Sequence, residues 1–144
     1  MTRQINCIIV AAGSGIRFGS RKPKQFCDLA GRPLLMTTVE RMRKALPDAR
    51  LLLILNPLWV NPWLQMCREH SFSSPEIIHG GESRLQSVAN ALNAIHDSED
   101  SISMVHDGAR PLVNPMVVNA VVAAVADGAQ GAIPCIPLTD SIRQ

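Results

Sequence analysis

Ile8-Ile9-Val10-Ala11-Ala12-Gly13-Ser14-Gly15-Ile16-Arg17-Phe18-Gly19-Ser20-Arg21-Lys22-Pro23-Lys24-Gln25 is the stretch on which the reading of this chain turns. Residues 5–10 are short, apolar and rich in β-branched side chains, as a buried strand requires, and they run directly into two alanines and two glycines. Gly13 and Gly15 predict a backbone that can approach a ligand closely and take up positive φ, so that successive N–H groups converge on phosphate oxygens. Arg17, Arg21, Lys22 and Lys24 follow at once, and no acid appears before Asp28. The stretch reads as a phosphate cradle. The plainer alternative is a glycine turn beside a solvated basic face.

Two common phosphate loops do not fit. A Walker A loop ends in Gly-Lys-Ser/Thr, but Gly19 is followed by Ser20 and Arg21. A dinucleotide fingerprint needs glycine where Phe18 stands and an acid after the second strand, where Asn56 stands. The pattern supports neither an ATPase nor a dehydrogenase.

A length of 144 residues predicts a single domain with a real core, and 47% hydrophobic against 18% charged residues is the balance of a soluble globular protein. No apolar run nears the length of a membrane span, and the N-terminus lacks the core and cleavage site of a signal peptide, so a cytoplasmic protein without a membrane partner is expected. Cys7, Cys27, Cys67 and Cys135 are widely spaced, which predicts free thiols rather than a disulfide framework or a zinc site. The formal charge of +2 is too small for bulk attraction to nucleic acid, and 3% aromatic residues offer no platform for stacking single strands. Five of the fourteen basic residues nevertheless precede the first acid. A small polyphosphate is the better partner.

Further along, Gly31-Arg32-Pro33 predicts a turn whose proline opens a helix, and Leu34, Leu35, Val39, Met42 and Leu46 recur at the spacing of one buried stripe. Residues 51–55 predict a second strand. Residues 58–70 predict a helix despite Pro62, with Trp59, Trp63 and Met66 in the core. Residues 76–79 predict a third strand, followed by Gly80-Gly81 and a helix over 83–95 that turns Leu85, Val88, Leu92 and Ile95 to the sheet. Arg84 and Ser87 share a neighbouring face of that helix at its first turns. A fourth strand ends at His106-Asp107-Gly108-Ala109-Arg110-Pro111. Asn114 caps a helix with Pro115 in its first turn, filled by Val117, Val121 and Val125 and stopped by Asp127-Gly128. Residues 132–136 predict a fifth strand, and the last eight residues show no helical period.

Alternation of strands and helices predicts an α/β fold with a mostly parallel sheet, whose ligands sit at the carboxyl ends of the strands. The three polar clusters, at 13–24, 80–87 and 107–110, each follow a predicted strand and should meet on one edge. There Arg17 can hold two phosphate oxygens in a planar fork and Lys24 supplies a compact positive charge. Asp107 can accept from ribose hydroxyls or help to hold Mg²⁺, or it can simply cap loop N–H groups. Ser87, with the backbone of Gly81 and Glu82, can read the edge of a base, although alone it would read as a serine bonding back to its own helix. His79 and His106 end strands and read as structural imidazoles rather than metal ligands.

The segments 11–17, 23–25, 80–88 and 106–111, in that order, resemble the motifs of the 2-C-methyl-D-erythritol 4-phosphate cytidylyltransferase family. The resemblance implies a Rossmann-like, three-layer nucleotidyltransferase fold. It implies transfer of CMP from CTP to 2-C-methyl-D-erythritol 4-phosphate with release of pyrophosphate, in non-mevalonate isoprenoid biosynthesis, with Mg²⁺ bridging the triphosphate. Arg17 and Lys24 match the transition-state-stabilising cations, and Ala11, Ala12, Gly13, Ser14 and Gly15 the nucleotide loop. Gly81, Glu82 and Ser87 match the cytosine-reading segment, and Asp107 with Ala109 the ribose and metal region. Arg110 and the pair Asp140-Ser141 match positions near the acceptor phosphate, the pair reaching it from the arm of a homodimer partner. Residues 1–136 thus form the expected nucleotide-binding domain and 137–144 the start of that arm. Gly108 stands where alanine is frequent in the family.

The family's domain continues beyond residue 144, so this chain is expected to be a fragment or the ordered part of something longer, and as a 144-residue product to fold or dimerise imperfectly with little activity. A cytidylyltransferase for another polyol phosphate, such as ribitol 5-phosphate, would present nearly the same nucleotide half. A non-catalytic CTP-binding module is the alternative from another class.

Overall fold

A computed structural model of the chain describes residues 3–13, 22–96 and 100–137. Strand β1 (Ile5–Ala11) is followed by a 3-10 turn (Lys24–Phe26), helix α1 (Leu34–Ala45), β2 (Arg50–Leu55), α2 (Pro57–Glu69), β3 (Glu76–His79), α3 (Arg84–Asn93), β4 (Ile102–Asp107) and α4 (Pro115–Ala126). The four strands form one sheet in the order β3-β2-β1-β4, and every pair is parallel. Ile8 pairs with Leu52 on one side and Val105 on the other. β1 is therefore central, and the chain reverses its winding about it.

Period-two alternation sorts β1 between two cores. Cys7, Ile9 and Ala11 pack with Leu53 and Leu55 against residues of α1, α2 and α4, whereas Ile8 packs with Leu52, Ile54 and Ala91 under α3. The layers are helix, sheet, helix. Phe26 stacks on Trp59 with ring centroids 4.9 Å apart, and Trp63 meets Phe72 edge-on at 5.8 Å while its Nε1–H donates to Ser74 Oγ at 2.8 Å. The two tryptophans are core, as their spacing predicts, and this packing carries α2 through Pro62.

Local signals act as read. Asn114 Oδ1 accepts from the Met116 N–H at 2.9 Å with Pro115 opening α4, and Gly128 stops it at φ +111°. Burial holds the Cys7 thiol up to about 12, so it is inert, and no disulfide forms among the described residues. No helix among the described residues is long and apolar enough to cross a membrane.

Three expectations are corrected. Residues 132–136 make no strand: Ile133 and Ile136 are 86% and 87% exposed and the segment runs beside the open edge of β4 without entering the ladder. Apolar composition marks strand propensity but cannot supply a pairing partner. On α3 the buried, sheet-facing residues are Ser87 and Ala91, with Ile95 packing just past its end as expected, while Leu85 is 82% exposed and Leu92 points away. Small residues win because the helix starts hard against the sheet, at Gly80 and Gly81. On α4 the buried valines are Val118 and Val122, one residue on from the predicted set. An almost wholly apolar helix has no periodicity from which to choose a face.

Two substitutions test this packing. Asn6 is fully buried in β1 and neither side-chain atom has a hydrogen-bond partner among the described residues. Because an unsatisfied buried polar group costs about 1–3 kcal/mol, Asn6→Val is expected to raise the thermal midpoint by a few degrees. An unchanged or lower midpoint would show that Asn6 is satisfied. A Cβ added at Gly80 would lie 2.5 Å from the Ala12 Cβ, so Gly80→Ala is expected to destabilise by about 1–3 kcal/mol in urea melts. Adding Ala12→Gly should recover most of that loss, and two strictly additive costs would place the strain elsewhere.

Candidate active site

β1, β3 and β4 all end on one edge of the sheet, and the chain leaves β1 for opposite sides of it, which opens a crevice at their carboxyl ends. A cleft of about 900 Å³ lies there, walled by Ala11, Ala12 and Gly13 at the end of β1, Lys24 and Gln25 from the 3-10 turn, Gly81 to Arg84 and Ser87 after β3, and Asp107, Ala109 and Arg110 at the end of β4. Three segments far apart in the sequence meet. Ser14, Gly15, Arg17, Asp140 and Ser141 lie outside the described residues.

The floor of the cleft is set by close backbone approach. The Gly80 N–H donates to the Leu55 carbonyl at 2.8 Å and the Gly108 N–H to the Val10 carbonyl at 2.8 Å, so both following loops start as extensions of the ladder. A Cβ at Gly108 would come within 2.9 Å of the Ala11 Cβ and 3.0 Å of Leu35 Cδ1, so a larger residue here would force these neighbours to shift. Thr38 Oγ1 donates to the Gly108 carbonyl at 2.8 Å from inside α1 and fixes that turn. Gly13 does not have the positive φ expected of it; among the described residues nothing lies within 4 Å of where its Cβ would be. Its missing side chain leaves open space on the cleft wall rather than relieving the backbone.

At the start of α3, Ser83 Oγ accepts from the Gln86 N–H at 3.1 Å, and Gln86 Oε1 accepts from the Glu82 N–H at 3.2 Å. This is a capping box with its return bond shifted by one residue. Ser87 is buried, donates to the Ser83 carbonyl at 2.8 Å and accepts from the Gly81 N–H at 3.0 Å. Its hydroxyl hydrogen is thus already used within the chain. One lone pair remains, which can accept a hydrogen bond but not give one.

Asp107 is held between two arginines. Arg84 Nη1 lies 2.7 Å from its Oδ1, and Arg110 Nε 2.9 Å from its Oδ2. Burial alone would raise the Asp107 pKa, but the hydrogen bonds from Arg110 and Arg84 outweigh it and hold the carboxyl below its ordinary value. Arg84, noted in the sequence only for sharing a helical face with Ser87, thereby joins the segment after β3 to the end of β4. The His106 imidazole, lowered in pKa mainly by burial, donates from Nε2 to the Arg110 carbonyl at 3.1 Å, the structural role expected of it. Asn56 was read only as a missing acid. It also walls the cleft while its Oδ1 accepts from the Leu58 N–H to cap α2.

No group of three or more possible metal ligands exists among the described residues, and both Asp107 oxygens are engaged. Such a donor set does not build a cation cage. It fits a Mg²⁺ ion that arrives with phosphate oxygens and takes one carboxylate from the protein.

The chain is 38% identical over 141 residues to the 2-C-methyl-D-erythritol 4-phosphate cytidylyltransferase of Frankia casuarinae, a match covering 98% of this chain and 51% of that protein. It is 38% identical to the enzyme of the same name from Porphyromonas gingivalis, covering 99% of this chain and 63% of the relative. A crystal structure of 4-diphosphocytidyl-2C-methyl-D-erythritol synthase superposes with a TM-score of 0.81 at 18% identity, over 100% of this chain and 64% of that one, and confirms the nucleotidyltransferase fold. The chain therefore spans between about half and two thirds of the length of these relatives. Residues 5–144 match the family description itself, and the chain belongs to the 2-C-methyl-D-erythritol 4-phosphate cytidylyltransferase family.

Proposed function

We propose that the cleft binds CTP and that the protein transfers CMP from it to 2-C-methyl-D-erythritol 4-phosphate. An acceptor phosphate oxygen bonds to the α-phosphorus, the bond from that phosphorus to the bridging oxygen breaks, and pyrophosphate leaves. The observation that carries this reading is the meeting of the Gly13 loop, Lys24, the Gly81-to-Ser87 segment and the Asp107-to-Arg110 segment around one cleft.

The residues suit the chemistry demanded. A triphosphate brings about four negative charges that must be balanced before a second anion can approach, so catalysis is mainly positioning and electrostatic stabilisation. Lys24 lines the cleft beside the nucleotide loop and places a positive charge there, with Arg17 as its proposed partner. When bound, Mg²⁺ would neutralise part of the phosphate charge, with Asp107 in reach of it. Arg84 and Arg110, which now share Asp107, would turn to phosphate oxygens. The acceptor is a phosphate monoester, mostly dianionic at neutral pH because its second pKa is about 6, so no general base is required.

Base selection follows from Ser87. Its remaining lone pair can accept from the exocyclic amine of cytosine, whereas the carbonyl oxygen of uracil at that place would face another oxygen. We further propose a cytoplasmic homodimer, in which a partner's arm contributes to the acceptor site.

Calorimetry with Mg²⁺ is expected to show saturable CTP binding, with UTP weaker by about tenfold or more. No cytidine preference would refute the base-reading site, and no CTP binding would refute the whole reading. In a pyrophosphate-release assay methylerythritol phosphate should outpace ribitol 5-phosphate; the reverse order would support the other acceptor, and binding without release the non-catalytic module. Lys24→Met should lower kcat by about 100-fold or more with the thermal midpoint unchanged. Gly13→Ala should likewise leave the midpoint in place and weaken CTP binding, because among the described residues its Cβ meets nothing and faces the cleft.

A further inference from the structure

The parallel ladder supplies partners for the backbone of β1 only to its last residue. Ala11 pairs with Leu55, and on the other side the pairing stops at Val10 with Asp107. Two carbonyls at and just past that end, those of Ala11 and Gly13, are met by one side chain. Gln25 Nε2 donates to the Ala11 carbonyl at 2.7 Å and to the Gly13 carbonyl at 3.0 Å, and Gln25 is only 6% exposed. Both amide hydrogens are used, across separations of 14 and 12 residues.

We propose that Gln25 is a positioning residue for the nucleotide: its buried amide closes the open end of β1 and fixes the course of Ala11 to Gly13, where the chain enters the cleft. The proposal rests on the nucleotide reading above. Carbonyl oxygens carry the wrong partial charge for a polyanion, and a carbonyl left unpaired beside the cleft would repel one. A trans peptide holds its N–H opposite its C=O, so pinning the Ala11 carbonyl also fixes the direction of the Ala12 N–H. The same side chain ties down the 3-10 turn, which is closed by bonds from the Phe26 N–H to the Pro23 carbonyl at 2.9 Å and from the Cys27 N–H to the Lys24 carbonyl at 3.1 Å. Lys24 is the preceding residue of that turn. One amide thus couples the glycine loop to the lysine, and an alkyl or carboxylate side chain of similar size offers no such pair of donors.

Gln25→Leu and Gln25→Glu test this on two independent readouts. In the free protein, hydrogen exchange of peptides covering residues 10–13 and 24–27 should speed up by about tenfold in Gln25→Leu, with α1 and α4 unchanged, as losing two hydrogen bonds locally requires. In calorimetry, CTP affinity of Gln25→Leu should fall by about tenfold at a temperature where the variant is folded. The glutamate variant adds a pH signature. As a carboxylate it offers no donor and faces two carbonyl oxygens; as the neutral acid it regains one bond. Its CTP affinity relative to the unaltered chain should be depressed at pH 8 and recover at pH 5.5, a trend a merely space-filling role would not produce. Unchanged loop exchange, wild-type CTP affinity in both variants, or a pH-independent deficit in Gln25→Glu would overturn the proposal. If the unaltered chain itself fails to bind CTP, the nucleotide reading falls, and loop exchange alone decides whether Gln25 holds the loop.

Discussion

The constraint on which this molecule depends is that β1 is paired in parallel on both sides and must stop where its neighbours stop. Inside the ladder β1 is paired with β2 from Asn6 to Ala11 and with β4 from Ile5 to Val10. At its end the backbone still carries polar groups that the sheet does not satisfy. Side chains from elsewhere then have to finish the job. Gln25 does so for the carbonyls of Ala11 and Gly13, and Thr38 does so for Gly108 at the end of β4. The cleft is the space left between these completions.

Small residues keep that space open. Ala12 and Gly80 approach so closely that a single added carbon would collide, and Ala11 and Gly108 are nearly as tight. This brings three strand ends within reach of one ligand without any large side chain between them. Charge is then added at the rim: Lys24 from the turn, and Arg84 and Arg110 on a carboxylate they share. The ion pairs are partly exposed and contribute little to stability. They hold both guanidinium groups at the rim of the cleft and join the segment after β3 to the end of β4.

Much of this was legible in residue order. Apolar runs of strand length, helices opened by Asn114-Pro115 and closed by Gly128, and polar clusters placed directly after strands gave the α/β layout and ten of the cleft-lining positions. The motif that contains Gln25 was visible, but its role was not, because its partners are carbonyls, which every residue carries and no sequence pattern marks. Arg84 was noticed only as a neighbour of Ser87 on a helix. Its ion pair with Asp107 joins segments 23 residues apart, a distance that only the folded sheet removes.

By itself, then, the sequence determined the succession of elements, the parallel winding and the basic character of the loops, since these follow from local periodicity, turn chemistry and charge. Tertiary structure decided which faces are buried and which groups are already spent. Residues 132–136 stayed outside the sheet for lack of a pairing partner, and α3 turned Ser87 and Ala91 inward because its N-terminus sits against the strands. Ser87 gave up its hydrogen to Ser83 and Asp107 both its oxygens to arginines. Burial and hydrogen-bond satisfaction depend on neighbours in space, and those neighbours exist only once the chain has folded.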